Sequence, residues 1–152
     1  MALIITETEI DADIQTCFDL VRDIDFYQKS LENSSEIAID GKTTGLVEIN
    51  DSITWEAKYL GFVQHLTLKV TEFDSPNLFV DEMVKGDFKS YKHEHIFRKS
   101  GNKTIMTDRF YFESPLGILG KIANTLFLKR YMTNLLKTRN KFLKEKAEDL
   151  EV

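Results

Sequence analysis

Residues 2–10 (ALIITETEI) alternate apolar and polar positions after Ile4, the period-two pattern of a half-buried strand. The period then lengthens. Ile14, Phe18 and Val21 recur at helical spacing along IQTCFDLVRD, with Asp11 or Asp13 available to cap the N-terminus, and a second short helix fits DIDFYQKSLE. Asn33-Ser34-Ser35 reads as a turn into a strand at 36–40, and residues 41–45 as a polar connection. From Ser52 onward the pattern is that of long strands: 52–60 (SITWEAKYL), 62–73 (FVQHLTLKVTEF), 78–85 (LFVDEMVK), 88–99 (FKSYKHEHIFRK) and 103–113 (KTIMTDRFYFE). Gly61, Asp74-Ser75-Pro76-Asn77, Gly86-Asp87 and Ser100-Gly101-Asn102 separate them, and connections this short join antiparallel neighbours.

Ser114-Pro115 ends the last strand, because proline lacks the ladder donor and restricts the residue before it. Residues 118–147 then contain no proline and, after Gly120, no glycine; as one helix they would span about 45 Å. The stripe is not straight. Leu119, Ile122, Ala123 and Leu126 share one face, whereas Leu128, Met132, Leu135, Leu136 and Leu143 lie nearly opposite, so either the helix bends or its first half touches a different surface. A strand meander must bury its apolar face, and only this helix is long enough to cover it. A curved sheet wrapped around a long helix meets it at the ends and stands off in the middle, which creates a cavity.

Composition narrows the function classes. At 152 residues with 42% hydrophobic and 30% charged content, and no internal repeat or linker, the chain is expected to form one domain over 1–152. The single cysteine, Cys17, excludes an internal disulfide or a cysteine zinc cluster. MALIITETEIDAD has no basic, apolar leader pattern and no apolar run approaches a membrane span, so a cytoplasmic location is expected. The net charge of −5 argues against nucleic-acid binding, but it is unevenly spread: −9 over residues 1–115 and +4 over 116–152.

This element order, together with ITWEAKYLG at 53–61, LTLKVTEFDSPNLFVDEMVKGDFKSYKHEHIF at 66–97 and MTDRFYFESPLGILGKIANTLFLKRYM at 106–132, resembles the START-like, or SRPBCC, superfamily. The closer likeness is to small bacterial SRPBCC proteins labelled polyketide cyclase/dehydrase-like. The resemblance covers essentially the whole chain. It implies an α+β helix-grip (START/Bet v 1-like) fold: a curved antiparallel sheet of about seven strands around a long C-terminal helix, with two short helices after the first strand. It also implies an internal pocket for an apolar or amphipathic molecule. Lipid carriers, receptors and true enzymes share this fold, so the site must decide among them.

His93 and His95 lie two apart on one strand and point to the same side as Tyr91 and Phe97, while Lys92 and Glu94 take the other, which puts both histidines on the concave face. Asp81 sits between Phe79 and Met83, and Asp108 between Met106 and Phe110, acids within apolar alternations that need partners. His93, His95, Arg109 and the Trp55 indole are the candidates. Three readings stand: a structural polar cluster that orients a ligand head, a His/Asp general acid–base pair, or a metal site of two histidines with one or two aspartates. No further metal-ligand or cofactor motif is present, so no cofactor is expected.

The expected pocket lining is Trp55, Tyr59, Leu68, Phe79, Met83, Tyr91, Phe110, Ile122 and Leu126, with Asp81, His93, His95 and Asp108 at its polar end. Cys17 reads as packing, and Gly86-Asp87-Phe88 either as a plain turn or as the frame of a pocket mouth. The glycines of Pro115–Gly120 would suit either a hinge or a rigid connector. Lys121, Lys129, Arg130, Lys137, Arg139, Lys141, Lys144 and Lys146 make the last helix basic, either a solvated outer face or a surface for transient contact with an anionic membrane. The favoured function is binding of a lipid-, quinone- or polyketide-like molecule as carrier or sensor. The alternatives are a cyclase, dehydratase or hydrolase using the same His/Asp pair, and a protein-interaction module docking through the basic helix, which would have a filled, dry core.

Overall fold

The computed structural model describes residues 2–31, 36–59, 62–113 and 125–151. The turns at Asn33-Ser34-Ser35 and Gly61, the Ser114-Pro115 stop, the Pro115–Gly120 segment and the helix start through residue 124 lie outside them. In chain order the elements are β1 (Ala2–Ile10), α1 (Ile14–Val21), α2 (Ile24–Ser30), β2 (Ile37–Gly41), β3 (Ser52–Tyr59), β4 (Phe62–Asp74), β5 (Leu78–Lys85), β6 (Ser90–Ser100), β7 (Lys103–Glu113) and α3 (Thr125–Leu150). The strands form one antiparallel sheet in the order β1-β7-β6-β5-β4-β3-β2.

Local chemistry places the short helices. Asp13, not Asp11, caps α1 by accepting the Gln15 N–H at 3.0 Å, and Asp23 caps α2 by accepting that of Phe26 at 3.2 Å. The α1 stripe drives Phe18 into the sheet, where its ring meets Phe73, Phe79 and Phe97 edge-on with centroids 5.4–5.6 Å apart. Register shifts between Thr67 and Leu68 and between Val70 and Glu72 interrupt the β4–β5 ladder, and such irregularities bend a sheet. Gly41 sits at φ +73°, where any Cβ would collide with the Ser52 carbonyl.

The core is split. One cluster gathers α1, the β4–β6 aromatics and Leu143 and Ala147 of α3; the other joins Ala2, Ile4, Phe110 and Phe112 to Leu128 at the opposite end of α3. Between those two apolar grips, α3 turns Arg139 and Asn140 inward, and both are buried. The Leu128, Met132 and Leu136 side of α3 faces the second cluster, with Leu128 buried, whereas Leu126 is 69% exposed.

Candidate functional site

The antiparallel register assembles the polar cluster. Thr6 on β1 lies opposite Asp108 on β7, Asp108 opposite His95 on β6, and His95 opposite Phe79 on β5. The adjacent row runs Ile4, Phe110, His93, Asp81. Each histidine bonds diagonally into the other row, as long side chains on one sheet face do: His93 Nε2 is 2.8 Å from Asp108 Oδ1, and His95 Nε2 is 2.9 Å from Asp81 Oδ2. The two rings stack with centroids 3.8 Å apart, and His95 also stacks on Phe79 at 4.1 Å.

Asp108, at 0% exposure, is the hub. Arg139 Nη2 donates to its Oδ1 at 2.6 Å, Asn140 Nδ2 to Oδ2 at 3.0 Å, and Thr6 Oγ1 to Oδ2 at 3.1 Å. Burial pushes this carboxyl up, but the Arg139 guanidinium and the His93 hydrogen bond overcome that and hold it well below the usual carboxylate range. An ionised Asp108 requires His93 Nε2 to be the donor. Burial depresses His93 to about 4, helped by His95, and His95 to about 3, helped by Arg139, so both are neutral at pH 7. Burial raises Asp81 to about 6, against the pull of His93 and Arg139.

Among the described residues, His95 Nδ1 is the buried side-chain nitrogen or oxygen without a hydrogen-bond partner, lying 3.6 Å from Asp108 Oδ1. A protonated Asp81 donating to His95 Nε2 would make Nδ1 a donor facing Asp108. His93, His95 and Asp108 also bring ligand atoms within 4.8 Å of one another, but a cation there would sit beside Arg139 and compete with four donors for the two Asp108 oxygens.

Two voids of about 70 and 60 Å³ adjoin the cluster, a third of about 60 Å³ lies beyond them, and Leu66 and Glu36 border all three. The first is walled by Trp55, Leu68, Phe79, Asp81, Tyr91, His93, His95 and Arg139, among others. The second adds Phe110, Met132, Leu135 and Leu136; the third opens toward Ala57, Asp87 and Phe88, so the Gly86-Asp87-Phe88 turn does border interior space. Asp108 lies behind this wall and reaches it through His93 and Arg139. Met83 is half-buried against the first core cluster and lines none of these voids, and neither does the exposed Leu126. The Tyr59 side chain and Ile122 lie outside the described residues.

Two of the expected acid partners bond neither aspartate: Arg109 points outward, 3.7 Å from Glu94, and Trp55 packs on Tyr27 with ring centroids 4.9 Å apart. The residue that takes their place, Arg139, belongs to the set expected on the outer basic face, yet it is 3% exposed. The signal was its spacing: it lies eleven residues after Leu128 and four before Leu143, on the inward stripe. Tyr27 and Glu36 had no such signal, whereas Thr6 follows Ile4 on the inward alternation of β1 and Asn140 lies four residues after Leu136 and three before Leu143 on the same stripe.

A family model described as polyketide cyclase / dehydrase and lipid transport matches residues 1–148. The chain belongs to that family. Among solved structures, this cyclase/dehydrase-family chain is similar to a Thermus thermophilus protein, at 18% identity and TM-score 0.71, covering 93% of this chain and 97% of the other. It is also similar to a START superfamily protein from Mycobacterium smegmatis, at 15% identity and TM-score 0.71, covering 97% and 98%. A ginseng (Panax ginseng) major latex-like protein matches at 12% identity and TM-score 0.69, covering 96% and 97%. At these identities the likeness is one of fold: the START/Bet v 1 helix grip, which the family uses to bind hydrophobic ligands. No match was found among curated proteins. Among the described residues no helix is long and apolar enough to cross a membrane.

Proposed function

We propose that the whole chain acts as one binding unit that holds a hydrophobic or amphipathic small molecule, lipid-, quinone- or polyketide-like, between the sheet and α3, as a carrier or sensor. The observation that carries this reading is the gap between the two apolar clusters: aromatic walls converge there on a small set of polar groups, the usual make-up of a ligand pocket. The voids are individually head-group sized, since even a benzene-sized guest takes a cavity of about 150 Å³. A whole amphiphile therefore requires Leu66, Met132 and Leu135, which border more than one void, to shift and join them. The exposed Lys129, Arg130, Lys137, Lys141 and Lys146 of α3 support transient docking on an anionic membrane during loading.

Native mass spectrometry of protein purified from its own host, followed by extraction of the bound molecule, tests this. A copurified apolar compound at near-unit stoichiometry is expected; an empty protein that binds no apolar compound contradicts the reading.

A second reading, a cyclase-, dehydratase- or hydrolase-type enzyme, is favoured by one feature. Asp81, raised to about 6, stands on the void wall bonded to His95, a pairing suited to proton transfer near neutral pH. That reading requires a His95→Gln variant to keep its fold and ligand affinity while losing turnover.

A further inference from the structure

The interior charges, taken together, discriminate among ligand heads. Among the described residues, Arg139 is the one cation that lines the void beneath α3, and its charge is already committed to Asp108 at 2.6 Å. Asp81 borders the adjoining first void with it, while His93 and His95 are neutral. The wall is therefore neutral to negative. Among the described residues, an incoming carboxylate would lose its water and find no uncommitted cation to replace it.

Hydrogen-bonding capacity points to the complementary property. No described residue accepts a hydrogen bond from the hydroxyls of Tyr27 and Tyr91, the Trp55 indole N–H or the Nη1 group of Arg139, and all four side chains border the first void. Burial holds both phenols protonated, so they remain donors at any physiological pH. A donor-rich, cation-poor wall fits a neutral oxygen acceptor.

We propose that this site selects an uncharged amphiphile, whose carbonyl or hydroxyl oxygen docks among Tyr27, Tyr91 and Arg139, and discriminates against free fatty-acid carboxylates. This rests on the ligand-binding reading above and names the head group that reading leaves open. The tail then points along the second and third voids toward Met132, Leu135 and Phe88.

A matched ten-carbon series tests it: 2-decanone, 1-decanol, decanoate and decylamine, each below its micellar concentration at pH 8, titrated while following Trp55, the sole tryptophan and a void-lining one. Calorimetry serves as the second measurement. The ketone and alcohol are expected to bind at least about tenfold more tightly than decanoate. In an Asp81→Asn variant, decanoate affinity should rise and the gap should narrow. Decanoate binding as tightly as the ketone overturns the proposal while leaving the ligand-binding reading intact, and so does a clear preference for decylamine. Absence of binding by all four counts against the ligand-binding reading itself, and the proposal falls with it.

Discussion

Replacing Arg139 by methionine removes the cation that keeps Asp108 ionised while preserving most of the side chain's length and apolar stem. Asp108 is fully buried and would retain its contacts to Thr6, His93 and Asn140, but all three of those partners are neutral. Leaving one member of a buried ion pair uncompensated costs about 3–5 kcal/mol, a large share of the roughly 5–15 kcal/mol that stabilises a typical domain. Without Arg139, burial dominates and the Asp108 carboxyl rises, so acid should neutralise it and relieve part of the loss. Urea unfolding at pH 7 and pH 5, followed by Trp55 fluorescence, measures both effects, each variant being compared with the parent at the same pH. The expected result is a deficit of about 3 kcal/mol or more at pH 7 that shrinks at pH 5. In the Asp108→Asn/Arg139→Met double variant, a coupling of at least about 2 kcal/mol is expected. A pH-independent loss below about 1 kcal/mol, with no coupling, would mean that the ion pair is not sealed from water as its burial implies.

The buried histidines set a wider pH dependence. Their folded-state values of about 4 and 3 lie below the unfolded 6.5, so the unfolded chain takes up protons first and stability falls as pH drops through 6.5. Asp81, raised from 3.8 to about 6, acts in the opposite direction over that interval. Two histidines against one aspartate leave a net loss of roughly 2 kcal/mol between pH 7 and pH 5, and chemical denaturation showing greater stability at pH 5 would contradict the assignment. Leu66→Ala should join the three voids, costing about 2 kcal/mol of stability but admitting bulkier ligands several-fold more tightly; unchanged ligand selectivity in calorimetry would count against Leu66 as the partition. Cys17, buried and pushed up to about 11, should react with a thiol reagent only when urea unfolds the protein, and labelling of the native state at an unfolded-like rate would contradict its placement.

The sheet was legible because its strands alternate cleanly and their turns carry glycine, proline or asparagine. The 78–85 and 103–113 segments coincide with β5 and β7. His93 and His95 were legible as concave-facing for the same reason, a period of two with Lys92 and Glu94 opposite. The helix side of the cluster was harder to read. Arg139 looks like one more lysine or arginine of a basic surface until its spacing from Leu128 and Leu143 is weighed above its charge, and a buried arginine is rare enough that charge usually wins. Tyr27 on α2 and Glu36 just before β2 reach the site by tertiary placement, with no local periodicity to announce it. Void size was equally hidden, because it depends on how Leu66, Met132 and Leu135 pack across the gap rather than on which face each occupies.

The most direct measurement is an isotope-filtered NOE experiment on labelled protein holding the molecule that copurifies with it, or 2-decanone if none does. Occupation of the gap between sheet and α3 predicts ligand contacts to Trp55, Tyr91, Leu66 and Met132 together. Contacts confined to the exposed surface of α3, at Leu126 and Lys129, would contradict an interior site.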